Sequence, residues 1–204
     1  MKIRQLTFIK FILTAIIMLV LTSCSESYNI KIQENGLADL SYELHSLNKD
    51  SVKQSYSTEK ELKQVKDSLS KMYARFFKNK LITNYKCSIN NDLEVKIFCK
   101  ISNVNKLGQF LCPLSKPNHP ITINYTTSKL TIDAGQGESK AEDDIGGLTD
   151  EISFKLNLEL PRKIKSVNNE SGIPSKYSEN KFTLESSIGG LNYSNRRNKI
   201  TIEY

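Results

Sequence analysis

Apolar residues recur along the chain at two different spacings, and the change between them marks its parts. Ile30 and Ile32, then Leu40, Tyr42 and Leu44, alternate with polar residues on either side of Asn35-Gly36, the pattern of two strands joined by a tight turn. Between residues 57 and 79 the step lengthens: Leu62, Val65, Leu69, Met72, Tyr73, Phe76 and Phe77 fall on one face of a helix. Thr58, with Glu61 three places on, has the form of a capping box, and Lys78 and Lys80 suit the negative pole of the helix dipole.

Past Leu81 only alternation remains. It runs through Tyr85, Cys87 and Ile89; Val95, Ile97, Cys99 and Ile101; Ile121, Ile123 and Tyr125; and Leu130 and Ile132. The cleanest stretch is Ile152, Phe154, Leu156, Leu158 and Leu160, which Pro161 places at a sheet edge or a bend. Ile164 and Val167, Phe182 and Leu184, and Ile200, Ile202 and Tyr204 complete the set. Asn90-Asn91-Asp92 reads as a turn, residues 134–149 as a glycine-rich acidic loop and residues 168–180 as a polar turn region. Ile-Gly-Gly-Leu occurs twice, from Ile145 and from Ile188, too few copies for a solenoid. The predicted fold class is α+β, with one amphipathic helix packed on a largely antiparallel β-sheet.

The amino terminus has a different character. Lys2, Arg4 and Lys10 precede an apolar run over residues 11–21 that only Thr14 interrupts, and Leu21-Thr22-Ser23-Cys24 closes the segment. This is the plan of an export signal, too short for a permanent membrane span. The tetrapeptide resembles the bacterial lipobox, and the resemblance implies cleavage before Cys24, a diacylglyceryl group on its thiol and acylation of its new amino group. Two or three chains, each contributing ~0.8 kcal/mol per buried methylene, make a stable anchor where one would be marginal. Ser25, rather than aspartate, follows the cysteine and favours the outer membrane of a double-membraned bacterium, with the exposed face open. The predicted organisation is a signal over residues 1–23, a lipidated Cys24 with a short polar tether to residue 28, and one domain over residues 29–204.

Removing the signal changes the charge arithmetic. The 29 basic and 22 acidic residues give +7, but three of the positive charges lie in the signal, leaving about +4 and little reason to expect a nucleic-acid partner. With 38% hydrophobic residues the chain can bury a core.

From Leu158 to Ile188 the strand ending Leu160-Pro161, the segment reaching Val167-Asn168-Asn169, the polar turn and the returning Lys181-Phe182-Thr183-Leu184 resemble the LppM-like lipoprotein domain family. The resemblance implies an anchored envelope domain of α+β type and brings no catalytic residues with it.

Candidate chemistry is thin. Cys87, Cys99 and Cys112 form an odd set outside the cytoplasm, so one bridge, between Cys87 and Cys99 or between Cys99 and Cys112, and one free thiol is one reading; three reduced, apolar cysteines is the other. His45 and His119 have neither zinc-ligand spacing nor a nucleophile setting. Asp133, Glu138, Glu142, Asp143 and Asp144 are hard ligands of the kind calcium prefers, but their spacing reads as a solvated acidic loop. Lys60, Lys63, Lys66, Lys71 and Lys78, with Arg196-Arg197, read as a wet face that anionic headgroups would also suit.

The sequence therefore predicts an acyl-anchored envelope lipoprotein, not an enzyme, with no cofactor and no metal. It would meet the membrane through its lipid and an unidentified envelope protein or ligand through its domain. The alternative is a lipid or small amphipathic ligand held between helix and sheet, in a pocket lined by Tyr73, Phe76 and Phe77.

Overall fold

The computed structural model describes residues 24–46, 58–111, 121–136, 153–187 and 197–204. Hairpin strands β1 (Cys24–Ile32) and β2 (Ala38–Ser46) come first, followed by helix α1 (Glu59–Phe76) and a second hairpin, β3 (Ile82–Ile89) and β4 (Val95–Ile101). A 3-10 helix (Val104–Phe110) leads to β5 (Thr122–Tyr125) and β6 (Lys129–Gln136). The rest is β7 (Ser153–Glu159), β8 (Ser166–Asn169), β9 (Ser175–Ser178), β10 (Lys181–Ser187) and β11 (Arg197–Glu203).

The fold is mixed α+β and its pairing is largely antiparallel, as the alternation predicts, but the strands form two sheets. One has seven strands in the order β3-β4-β2-β1-β7-β10-β9, the other four in the order β5-β6-β11-β8. β1 and β7 pair in parallel, with Asn29 opposite Asn157. Local signals explain the hairpins. Gly36 takes φ +76°, which costs glycine nothing, and the Asn35 side chain accepts the Leu37 amide at 3.1 Å. Thr58 caps α1 by accepting the Glu61 amide at 3.2 Å.

Both sheets contribute to one hydrophobic core. Tyr28, Leu40, Tyr42, Ile97 and Phe182 point inward from the large sheet, and Leu130, Ile132, Ile200 and Ile202 from the small one. The carboxyl end of α1 adds Tyr73 and the capping residue Phe77, while its amino half rests through Val65 on Leu93 in a minor cluster. In the 3-10 helix Val104, Leu107 and Phe110 are buried at intervals of three, the period at which side chains eclipse in that geometry. Gly108 is required there, because a Cβ on it would collide with the Ile121 carbonyl.

Three expectations need correction. Residues 25–28 are not a tether but part of β1, which lies inside the large sheet. Residues 134–136 belong to β6 rather than to a loop, and the region 168–180 contains β9. Pro161 does not put β7 at an edge, since β7 is interior; the chain bends at Pro161, two residues past the end of the strand. The 1–23 segment, Cys112, His119, Glu138, Glu142, Asp143, Asp144, Arg196 and both Ile-Gly-Gly-Leu copies lie outside the described residues.

Candidate functional site

Successive strand residues point to opposite faces, so burying one face of the large sheet fixes the composition of the other. That outer face is polar along β1, β2, β7 and β10, and registers across all seven strands order it into rows. The middle row runs Thr183, Asn157, Asn29, Ser41 and Phe98, closed by Lys176 at the β9 end and Lys86 at the β3 end. Asn157 Nδ2 donates to Asn29 Oδ1 at 2.9 Å, and Thr183 Oγ1 donates to Asn157 Oδ1 at 3.0 Å. Phe98 stands among these polar groups with 39% of its surface exposed.

The rows on either side alternate in charge and pair internally. On one side Lys31 meets Glu159 at 2.7 Å and Lys100 meets Asp39 at 3.8 Å; on the other Lys155 meets Glu185 at 2.6 Å and Lys96 meets Glu43 at 3.6 Å. The hydrogen bond from Lys155 holds the Glu185 carboxyl below the usual carboxylate range. Such exposed pairs contribute little stability, but they neutralise the carboxylates of the face. Between the middle row and the row of Lys181, Glu159, Lys31 and Asp39 lies an open groove of about 450 Å³.

A second polar feature is buried on the inner face. Glu26 is 1% exposed, and its carboxylate accepts the Tyr28 hydroxyl at 2.9 Å and the Tyr42 hydroxyl at 3.4 Å. The Tyr42 and Tyr73 hydroxyls lie 3.3 Å apart. Burial pushes the Glu26 carboxyl up to about 7, against the two tyrosine hydrogen bonds, which favour its charged form.

The sequence-predicted residues are scattered. Cys24 begins β1. Cys87 is opposite Ile97, across a five-residue connection, so it does not face Cys99, and both thiols are free; a bridge between these two is therefore corrected. Burial pushes the Cys99 thiol up to about 12 and raises that of Cys87.

The pocket expected at Tyr73, Phe76 and Phe77 is filled by the rings themselves. Tyr73 packs on Tyr42 with centroids 5.8 Å apart, and Phe77 touches Phe76 at 5.1 Å, Tyr85 at 5.8 Å and Phe110 at 6.0 Å. His45 lies on the outer face, with Nε2 3.1 Å from Glu43. Asp133 is committed to Arg197 at 2.7 Å and to the Gly135 amide at 2.9 Å, so it is no spare cation ligand; these contacts outweigh its burial and hold its carboxyl low. Lys60, Lys63, Lys71 and Lys78 are solvated, and Lys66 donates to Asn91 at 3.2 Å. Among the described residues no three His, Cys, Asp or Glu side chains gather as metal ligands do, and no helix is long and apolar enough to cross a membrane.

The middle row and the Glu26 cluster are both invisible to a reading of one strand at a time. Phe98 alone gave a signal, as an apolar residue on the polar side of β4 between Lys96 and Lys100.

No family model and no curated protein matches the chain. Among solved structures it is similar to the folded domain of the Mycobacterium tuberculosis protein LppM, determined by NMR, with a TM-score of 0.46, 8% identity and 88% of each chain covered.

Proposed function

We propose that this chain is an acyl-anchored envelope lipoprotein whose domain is non-catalytic and works by binding. The observation that carries the reading is the order of residues before Cys24: three basic residues, an apolar run over residues 11–21 and the lipobox-like Leu21-Thr22-Ser23. Cys24 itself lies on interior strand β1. Cleavage before it would leave every described element intact, and acylation would place the anchor at one end of the large sheet. The absence of aspartate after Cys24 favours the outer membrane.

The ring contacts of Tyr73 with Tyr42 and of Phe77 with Phe110 favour this reading over an amphipathic ligand held between α1 and the sheet. Metabolic labelling with an alkyne-bearing fatty acid in a bacterial host tests the anchor. Wild type should carry label and Cys24→Ala should not; label persisting in the variant overturns the assignment.

A further inference from the structure

We propose that the groove on the outer face of the seven-stranded sheet binds a neutral oligosaccharide. This rests on the reading of the domain as a binding module and not on the acyl anchor. Three observations converge on that ligand class.

The first is electrical. From Thr183 to Phe98 the middle row carries no ionisable group, and each carboxylate of the flanking rows already has a lysine within 4.0 Å. The charges lining the groove balance, Lys31 and Lys181 against Asp39 and Glu159, and Lys176 and Lys86 stand at the two ends of the middle row, so the groove itself offers a ligand no net charge. The second is the pairing of functional groups. Sugars present hydroxyls alongside apolar C–H faces, and they are held by fixed amides and hydroxyls beside an aromatic platform. Asn29 and Asn157 are oriented by their mutual bond and by Thr183, which leaves the Asn29 amide nitrogen, the second Asn157 N–H and the Ser41 hydroxyl toward the groove. Phe98 supplies the ring, and exposing it costs the sheet apolar surface for no packing return.

The third is topological. The row crosses β10, β7, β1, β2 and β4, all interior strands, so the backbone there is consumed by the sheet and cannot add an incoming peptide strand. Recognition is left to side chains. Four inter-strand steps of ~4.8 Å make the row about 19 Å long, room for a run of several sugar rings.

The test is calorimetric titration of the full chain carrying Cys24→Ala, purified in mild detergent, so that loss of the anchor and loss of binding are read separately. The probes are tetramers of β-1,4-linked glucose, β-1,4-linked N-acetylglucosamine and α-1,4-linked glucose, with tetragalacturonate as the anionic control. At least one neutral tetramer should bind, with affinity changing less than about twofold between low and high salt. Phe98→Ala and Asn157→Ala should each weaken it roughly tenfold, and Ser41→Arg, which fills the groove from an outward position, should abolish it without lowering Tm. Binding of none of the neutral probes, binding only of the anionic control, or affinity indifferent to all three variants would each overturn the proposal.

Discussion

Glu26 and Tyr28 stand two positions apart on β1, both point into the core, and the Tyr28 hydroxyl donates to the Glu26 carboxylate across 2.9 Å. A carboxyl so placed binds its proton more tightly in the folded chain, at about 7, than at its ordinary 4.5. Its stabilising effect is therefore complete below pH 4.5 and is lost as pH rises through about 7. The shift corresponds to on the order of 3 kcal/mol. Thermal unfolding of wild type should show Tm declining across this window, and Glu26→Gln should flatten the decline and be the more stable protein at pH 8. Parallel profiles for the two proteins would refute the linkage. Asp133 and Glu185, whose carboxyls are held low, act in the opposite sense at the acidic end, where stability falls with pH.

Ring packing beneath α1 makes a second prediction. Phe77 is 2% exposed and touches three other rings, so Phe77→Ala should cost about 3–5 kcal/mol in urea unfolding. Met72 lies on the same helix but is 38% exposed, and Met72→Ala should cost less than about 1 kcal/mol. Equal losses would mean that the helix packs in another orientation.

The thiols of Cys87 and Cys99 should be free yet slow to react. Burial raises both, and thiolate is the reactive form, so iodoacetamide at pH 8 should leave them unmodified in the native protein. After denaturation without reductant, peptide mass spectrometry should find both alkylated. Failure to modify this pair would show them bridged.

Gly108 faces the Ile121 carbonyl so closely that no Cβ fits, and the obstacle is backbone rather than a mobile side-chain end. Gly108→Ala should destabilise the protein by roughly 1–3 kcal/mol, measured by chemical unfolding. Because Gly108 lies in the 3-10 helix, Val104→Ala and Leu107→Ala should also lower Tm, through lost burial.

What could be read from the sequence follows the range of the interactions. The β1–β2 turn, the Thr58 cap and the alternation of β7 each need only a few consecutive residues, and each appears where the pattern puts it. Ser25-Glu26-Ser27-Tyr28 is opaque because a carboxyl occupies an inward position that apolar alternation reserves for a hydrophobe, made tolerable there by the hydroxyls of Tyr28 and Tyr42. The 3-10 helix hides for another reason: a period of three in Val104, Leu107 and Phe110 matches neither the α-helical nor the strand period. The Asn29–Asn157 bond joins residues 128 apart, across the parallel pairing of β1 and β7, which has no local signature. The candidate groove, being a product of register across many strands, was correspondingly out of reach.

Under the proposed acylation, the place of Cys24 on β1 has a mechanical consequence. A tether would let a domain swivel over its membrane; acyl chains on a residue of an interior strand would restrict that swivel. β1, nine residues at ~3.3 Å each, would rise roughly 30 Å from the bilayer to the Gly36 turn, carrying the sheet upright with it. Force on the domain would pass along the hydrogen-bonded neighbours β2 and β7 into the lipid, and the sheet's outer face would stand side-on to the membrane, turned toward whatever lies beside the protein rather than above it.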